Sequence, residues 1–154
     1  MFEVRKDDLS GEPTRALLAL HLAGMHANSP PGSVSALNLS GLQVPGVTVW
    51  TVWQGGEAVA VAVGALKDLG EGHGELKSMR THPDHLRKGA SSWLLDHIVA
   101  EAKARGWTRL SLETGSGPAF DAALALYRKR GFVDGKAFSD YERSSFNQFL
   151  HLQL

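Results

Sequence analysis

Cysteine is missing from all 154 residues. Disulfides, thiolate nucleophiles and thiolate metal ligands are thereby excluded, and nothing asks for an oxidising compartment. An excess of either charge is missing too, since 16 basic side chains cancel 16 acidic ones. That argues against bulk electrostatic binding to nucleic acid or to an anionic membrane surface. No apolar run approaches the roughly 18–20 residues of a membrane span. The opening stretch Met1-Phe2-Glu3-Val4-Arg5-Lys6 lacks an apolar signal core. The expected location is the cytoplasm, with neither nucleic acid nor membrane as partner.

What is present is an ordinary globular composition, 43% hydrophobic and 21% charged. At this length it predicts one domain with its own core. Phe2 to Lys6 alternates like a strand, and Asp7 and Asp8 read as the turn after it. Pro13 opens a helical run carrying Leu17, Leu18, His21, Leu22 and Met25, which ends near residue 28 before Ser29-Pro30-Pro31-Gly32. Ser33 is a candidate cap for a second helix reaching Leu42. Val47 to Gln54 and Ala58 to Leu66 read as strands joined through Gly55-Gly56. The glycine-rich stretch from Asp68 to Gly74 reads as a loop, and Glu75 to Thr81 as a strand. A helix over about 90–105 buries Leu94, Leu95, Ile98, Val99 and Ala102 and stops at Gly106. Thr108 to Glu113 is a strand, followed by a helix carrying Ala122, Ala123, Leu126 and Tyr127. Phe132-Val133 and Phe146 to Leu154 look like the last two strands. This order predicts a mixed α/β sheet flanked by helix pairs.

Between a strand and a helix lies Leu86-Arg87-Lys88-Gly89-Ala90-Ser91. The first turn of a helix has no internal acceptors for its N–H groups, which can converge on an anion at the positive end of the helix dipole. Gly89 lets a ligand approach the backbone. Arg87 and Lys88 add charge, and Ser91 and Ser92 add hydroxyl donors. The Gly-x-x-x-x-Gly-Lys-Ser/Thr phosphate loop and the Gly-x-Gly-x-x-Gly dinucleotide fingerprint are both absent. Taken alone, the loop is equally read as a capped helix with solvated charges.

About 35 residues later comes Leu124-Ala-Leu-Tyr127-Arg-Lys-Arg-Gly131-Phe132. The two stretches together resemble the GNAT superfamily of acyl-CoA-dependent N-acetyltransferases, whose signature is a strand, Arg/Gln-x-x-Gly-x-Gly/Ala opening a helix, and a later Leu-Tyr-x-x-x-Gly-Phe. The element order fits that family from end to end. Met25-His26-Ala-Asn-Ser29-Pro30-Pro31, Ser111-Leu-Glu-Thr-Gly-Ser116 and Phe138-Ser-Asp-Tyr141 look like a bacterial branch of it. The resemblance implies a single mixed, mostly antiparallel sheet of about seven strands with about four helices, as one domain.

The resemblance also implies acetyl-CoA as co-substrate and direct transfer to a primary amine of a small molecule or peptide. A non-catalytic acyl-CoA-binding sensor is the alternative, and a homodimer is left open. The cradle for the coenzyme A pyrophosphate would be Arg87, Lys88, Gly89, Ala90, Ser91 and Ser92. The strand Met79-Arg80-Thr81 would pair with the pantetheine arm, and the Met79 N–H would lie near the thioester carbonyl. Tyr127 would protonate the departing thiolate. Leu86 stands where the family usually has Arg or Gln, with Arg87 beside it. Ser91 stands where it has Gly or Ala. Phe120 replaces a common Asn and could pack on the pantetheine.

A protonated amine must lose a proton before it attacks, and a carboxylate is a suitable base. Glu75 is the first candidate, because side chains at 75, 77, 79 and 81 of one strand would share a face and some members of the family use a Glu there. Glu113 at the end of the next strand is the second. His26 is the third, on a segment to Leu42 expected to wall the acceptor site. His82-Pro-Asp-His85, with His73 and His97 as neighbours, lacks the specificity of a zinc site, and no metal is expected. The four tryptophans read as core and edge residues, and Arg128-Lys129-Arg130 as a solvated helix end.

Overall fold

The computed structural model describes residues 1–56 and 59–154. The expected strand start at Ala58 lies outside them. The elements are β1 (Phe2–Asp7), α1 (Glu12–Asn28), α2 (Leu39–Leu42), β2 (Val47–Gln54), β3 (Ala60–Gly70), β4 (His73–Thr81), α3 (Ala90–Ala104), β5 (Arg109–Thr114), α4 (Pro118–Lys129), β6 (Val133–Asp134) and β7 (Gln148–Gln153). A single turn of 3₁₀ helix, Pro83–His85, precedes α3. The seven strands form one sheet in the order β1-β2-β3-β4-β5-β7-β6. Every neighbouring pair is antiparallel except β4 and β5.

The two faces of the sheet carry separate cores. Leu94, Leu95 and Ile98 of α3 and Leu124 and Tyr127 of α4 pack with Leu66, Leu76, Leu110 and Leu150. On the other face Leu17 and Leu18 of α1 and Leu42 of α2 pack on Val49, Val63 and Ala65. The helical spacing of apolar residues thus aims each helix at one face.

Two expectations are corrected here. The glycine-rich stretch after Asp68 is a tight hairpin, because Glu71 (φ 58°) and Gly72 (φ 76°) both take the left-handed conformation that matches strand twist. The second helix starts at Leu39, capped by the Asn38 side chain accepting from the Gly41 N–H at 2.9 Å, not at Ser33. Residues 33–38 stay irregular, with Ser33 N–H turned back onto the Pro30 carbonyl. Ser35 and Ala36 of this stretch line the cavity described next.

Candidate active site

β4 and β5 are hydrogen-bonded only from His73 to Glu75, against Arg109 to Ser111. Beyond that point β4 stays on β3 and β5 stays on β7, so the strands part like a fork. A cavity of about 520 Å³ fills the fork, and the outer edge of β4 from Leu76 to Thr81 runs along it. Such an edge offers backbone groups to an extended ligand.

At one end the cavity meets the start of α3. Gly89 caps the helix at φ 87°, and a side chain added there would meet nothing within 4 Å. The first helical bond runs from Trp93 N–H to Gly89 O at 3.0 Å. The N–H groups of Ala90, Ser91 and Ser92 therefore have no acceptor inside the helix. These residues line the cavity with Leu86, Arg87 and Gly89. Lys88 is exposed and outside the lining. The Ser91 hydroxyl is bonded to the Thr81 hydroxyl, tying the helix start to β4. Two buried polar atoms on the wall, Ser78 Oγ and His85 Nδ1, have no partner among the described residues. An open helix start beside unsatisfied polar atoms fits a long polar ligand carrying phosphates.

α4 supplies the opposite wall through Phe120, Ala123, Leu126 and Tyr127. The small residues of this face leave the room that Phe120 and Tyr127 border. Burial raises the Tyr127 pKa, against the nearby Arg80 charge, so its hydroxyl holds its proton at neutral pH.

The expected shared face of β4 is not observed. Ser78 takes φ 58°, and the pairing to β3 slips between Val63–Arg80 and Ala65–Lys77. This bulge reverses the alternation. Leu76 and Met79 pack in the core under α3, and Thr81 reaches Ser91 there. Lys77 and Arg80 point to the α1 side, to Ser35 and His21. Gly64 lies opposite the bulge, and a Cβ there would collide with Met79 Sδ.

The two candidate carboxylates differ in surroundings. Glu75 is 2% exposed and absent from the cavity wall. Its Oε2 accepts from Lys77 Nζ at 3.2 Å and from the Tyr141 hydroxyl at 2.5 Å. Lys77 also donates to the Tyr141 oxygen at 2.7 Å and to the Ser35 carbonyl at 3.4 Å. Glu113 lines the cavity. Burial, helped by the Glu75 charge, raises its pKa to about 7, against Lys77 and hydrogen bonds from Asn147 and Ser35. A carboxyl that titrates near neutrality inside a cavity suits general base work. The geometry thus favours the second candidate over the first.

His26 is exposed in the last turn of α1 and does not line the cavity. His21, Gly24, Met25 and Asn28 do, being the helix face one turn apart. Burial, with the Arg80 and Lys77 charges, lowers the His21 pKa to about 4, so the ring is neutral. Among the described residues no three His, Asp or Glu side chains are placed to hold a metal ion, and no helix is long and apolar enough to cross a membrane.

Sequence reasoning missed His21, Ser35, Lys77, His85 and Tyr141. His21 was visible only as part of an apolar face. The sequence offers Tyr141 only within Phe138-Ser-Asp-Tyr141, a mark of the bacterial branch that gives no sign of its bond to Glu75.

Comparison with known proteins agrees with this architecture. Residues 16–132 match the model of the acetyltransferase (GNAT) family. The chain is 46% identical over 154 residues to the uncharacterized N-acetyltransferase YedL of Escherichia coli, covering 100% of this chain and 96% of that protein. A solved structure from Klebsiella pneumoniae, described as a candidate acyl-CoA N-acyltransferase, is 26% identical and superimposes with a TM-score of 0.81, over 100% of this chain and 98% of that one. An acetyltransferase of Bacillus subtilis solved in complex with CoA shares the fold at a TM-score of 0.74 and 17% identity, over 100% and 99% of the two chains. With the family match spanning most of its length, the chain belongs to the GNAT family of acetyltransferases.

Proposed function

We propose that the chain transfers an acetyl group from acetyl-CoA to the primary amine of a small molecule or peptide, by direct attack within a ternary complex. The observation that carries this reading is the fork itself. One continuous cavity joins the open start of α3, the unpaired edge of β4, the buried Tyr127 hydroxyl and the neutral-range carboxyl of Glu113. The coenzyme supplies an activated thioester. The N–H groups of residues 89–92 hold its phosphates, with Arg87 adding charge. The β4 edge from Met79 to Thr81 holds its amides, and Phe120 packs on the arm. Ser78 Oγ and His85 Nδ1 gain partners when the site fills.

Glu113 takes a proton from the incoming amine, so the nitrogen lone pair can bond to the acetyl carbon. The carbon–sulfur bond breaks as that bond forms. Tyr127 gives a proton to the sulfur that leaves, and the second proton shed by the newly acylated nitrogen, passed on through solvent, restores the Tyr127 hydroxyl. The absence of cysteine accords with transfer in a single step.

The test is thiol release from acetyl-CoA over a panel of amines, with Tyr127→Phe as the control. Turnover with some amine that falls at least tenfold in Tyr127→Phe, with coenzyme affinity kept, supports the reading. Coenzyme binding without turnover on any amine leaves the sensor in its place.

A further inference from the structure

Arg80 occupies a seat built for it. Its Nε donates to His21 Nδ1 at 3.0 Å and its Nη2 to the His21 carbonyl at 3.3 Å. The neighbouring residue on α1 is Gly24, where an added Cβ would come within 2.9 Å of Arg80 Nη2. The guanidinium therefore lies flat against α1 in a space opened by a missing side chain. His21 is held neutral there, as an acceptor that contributes no charge of its own.

What the seat lacks is an anion. Six ion pairs are formed among the described residues, and none includes Arg80. Two of its five N–H donors are used, both on His21, and Nη1 has no acceptor among the described residues. A half-buried guanidinium with an unpaired edge is costly unless something else supplies a charge. Arg80 lines the same cavity as Glu113 and lies near enough to Tyr127 to act on its hydroxyl. Any group that pairs with it must therefore sit close to the reacting centre. The α3 start, where phosphates belong, is on the other face of β4, because the Ser78 bulge sends Arg80 toward α1 and Thr81 toward α3.

We propose that the Arg80 guanidinium binds a carboxylate of the acceptor, making the substrate a free α-amino acid or a close relative in place of a peptide N-terminus. This rests on the acetyltransfer reading above. The fork geometry of guanidinium and carboxylate is bidentate and planar. The acceptor's carboxylate would sit on Arg80, with its amine held in the cavity that Glu113 and Tyr127 also line. A peptide has its carboxylate converted to an amide next to the amine, and would leave the guanidinium unpaired.

The test compares three forms of each of the common amino acids in acetyl-CoA turnover: free acid, carboxamide and decarboxylated amine. Loss of an acceptor group that pairs with a buried charge is expected to lower kcat/KM by at least about 100-fold. The free acid should thus lead its own amide and amine by that margin. Arg80→Gln should shrink the margin to a few-fold while acetyl-CoA affinity, measured by calorimetry, is retained. Gly24→Ala is the second variant, since alanine suits a helix and only displaces the guanidinium. It should raise KM for the acid and leave KM for the amide near its starting value. Equal turnover of acid and amide, or turnover of amides and amines alone, overturns the proposal while the acetyltransfer reading stands. An equal loss for acid and amide in Arg80→Gln also overturns it, placing Arg80 at the reacting centre instead. Coenzyme binding with no free acid acetylated counts against it too. Failure to bind acetyl-CoA at all would instead remove the reading beneath it.

Discussion

The junction of β4 and β5 has two ends that behave oppositely. At the paired end polar side chains answer one another in linked sets. His151 Nε2 donates to the Lys136 carbonyl at 2.8 Å, which leaves its Nδ1 to accept from Ser111 Oγ at 2.6 Å and from Arg109 at 2.7 Å. Ser111 in turn accepts from His73 Nε2 at 2.6 Å. Glu75, Lys77 and Tyr141 close a second set of bonds beside it. At the parted end, among the described residues, Ser78 Oγ and His85 Nδ1 have no partner and Arg80 has no counter-charge, and Glu113 is pushed toward neutrality. Satisfied groups hold a structure together, whereas unsatisfied ones are held ready for a ligand. The two glutamates, residues on adjacent strands, stand in opposite surroundings for that reason.

The sharpest way to break this contrast is to remove one glutamate at a time. Glu113→Gln should lower kcat by about 10²–10⁴ and abolish the rise in kcat/KM as pH increases through about 7, read from pH–rate profiles with a saturating acetyl donor. Glu75→Gln leaves Lys77 charged and buried, which should cost about 3–5 kcal/mol of stability. Urea unfolding checks it, and a smaller loss would mean the paired end is less closed than described.

Stability against pH sets two groups of the parted end against each other. His21 has a folded pKa near 4, below its ordinary 6.5, so it binds fewer protons folded than unfolded. Its contribution is whole above pH 6.5 and is lost as pH falls toward 4. Glu113 runs the other way. With its folded pKa raised from 4.5 to about 7, its contribution is whole below pH 4.5 and is lost as pH rises through 7. Glu113→Gln should therefore gain Tm relative to the parent at pH 8 and not at pH 4.5, by calorimetry. The smallest effect expected is at the bulge. Ser78→Gly relieves a left-handed serine and should stabilise by about 1 kcal/mol, measured by the same unfolding curves.

Much of the cavity's α3 and α4 walls was legible in the sequence. Gly89 before a helical repeat and Tyr127 four residues before Gly131 are local patterns, and local patterns survive in a linear reading. The surroundings of Arg80 and of the two glutamates were not legible. A left-handed Ser78 has no compositional mark, unlike a glycine, so the reversal of faces along β4 could not be anticipated. The choice between Glu75 and Glu113 depends on burial created by residues far along the chain, with Tyr141 closing over one and Ser35 and Asn147 flanking the other. His26 is suggested by its place at a helix end, whereas the cavity wall takes His21, Gly24, Met25 and Asn28 from that helix.

The place of β7 in the sheet carries a consequence for how the chain folds. Gln148–Gln153 lies between β5 and β6, and Phe149 is the ladder partner of Glu113. Until those residues pair, β5 has only its short contact with β4 and the fork has one firm prong. The sheet from β1 to β4 draws on partners nearer in the chain, so the wall carrying Glu113 is expected to form after the cores around it. A chain cut before Gln148 would keep its first strand pairings and lose the support of that wall.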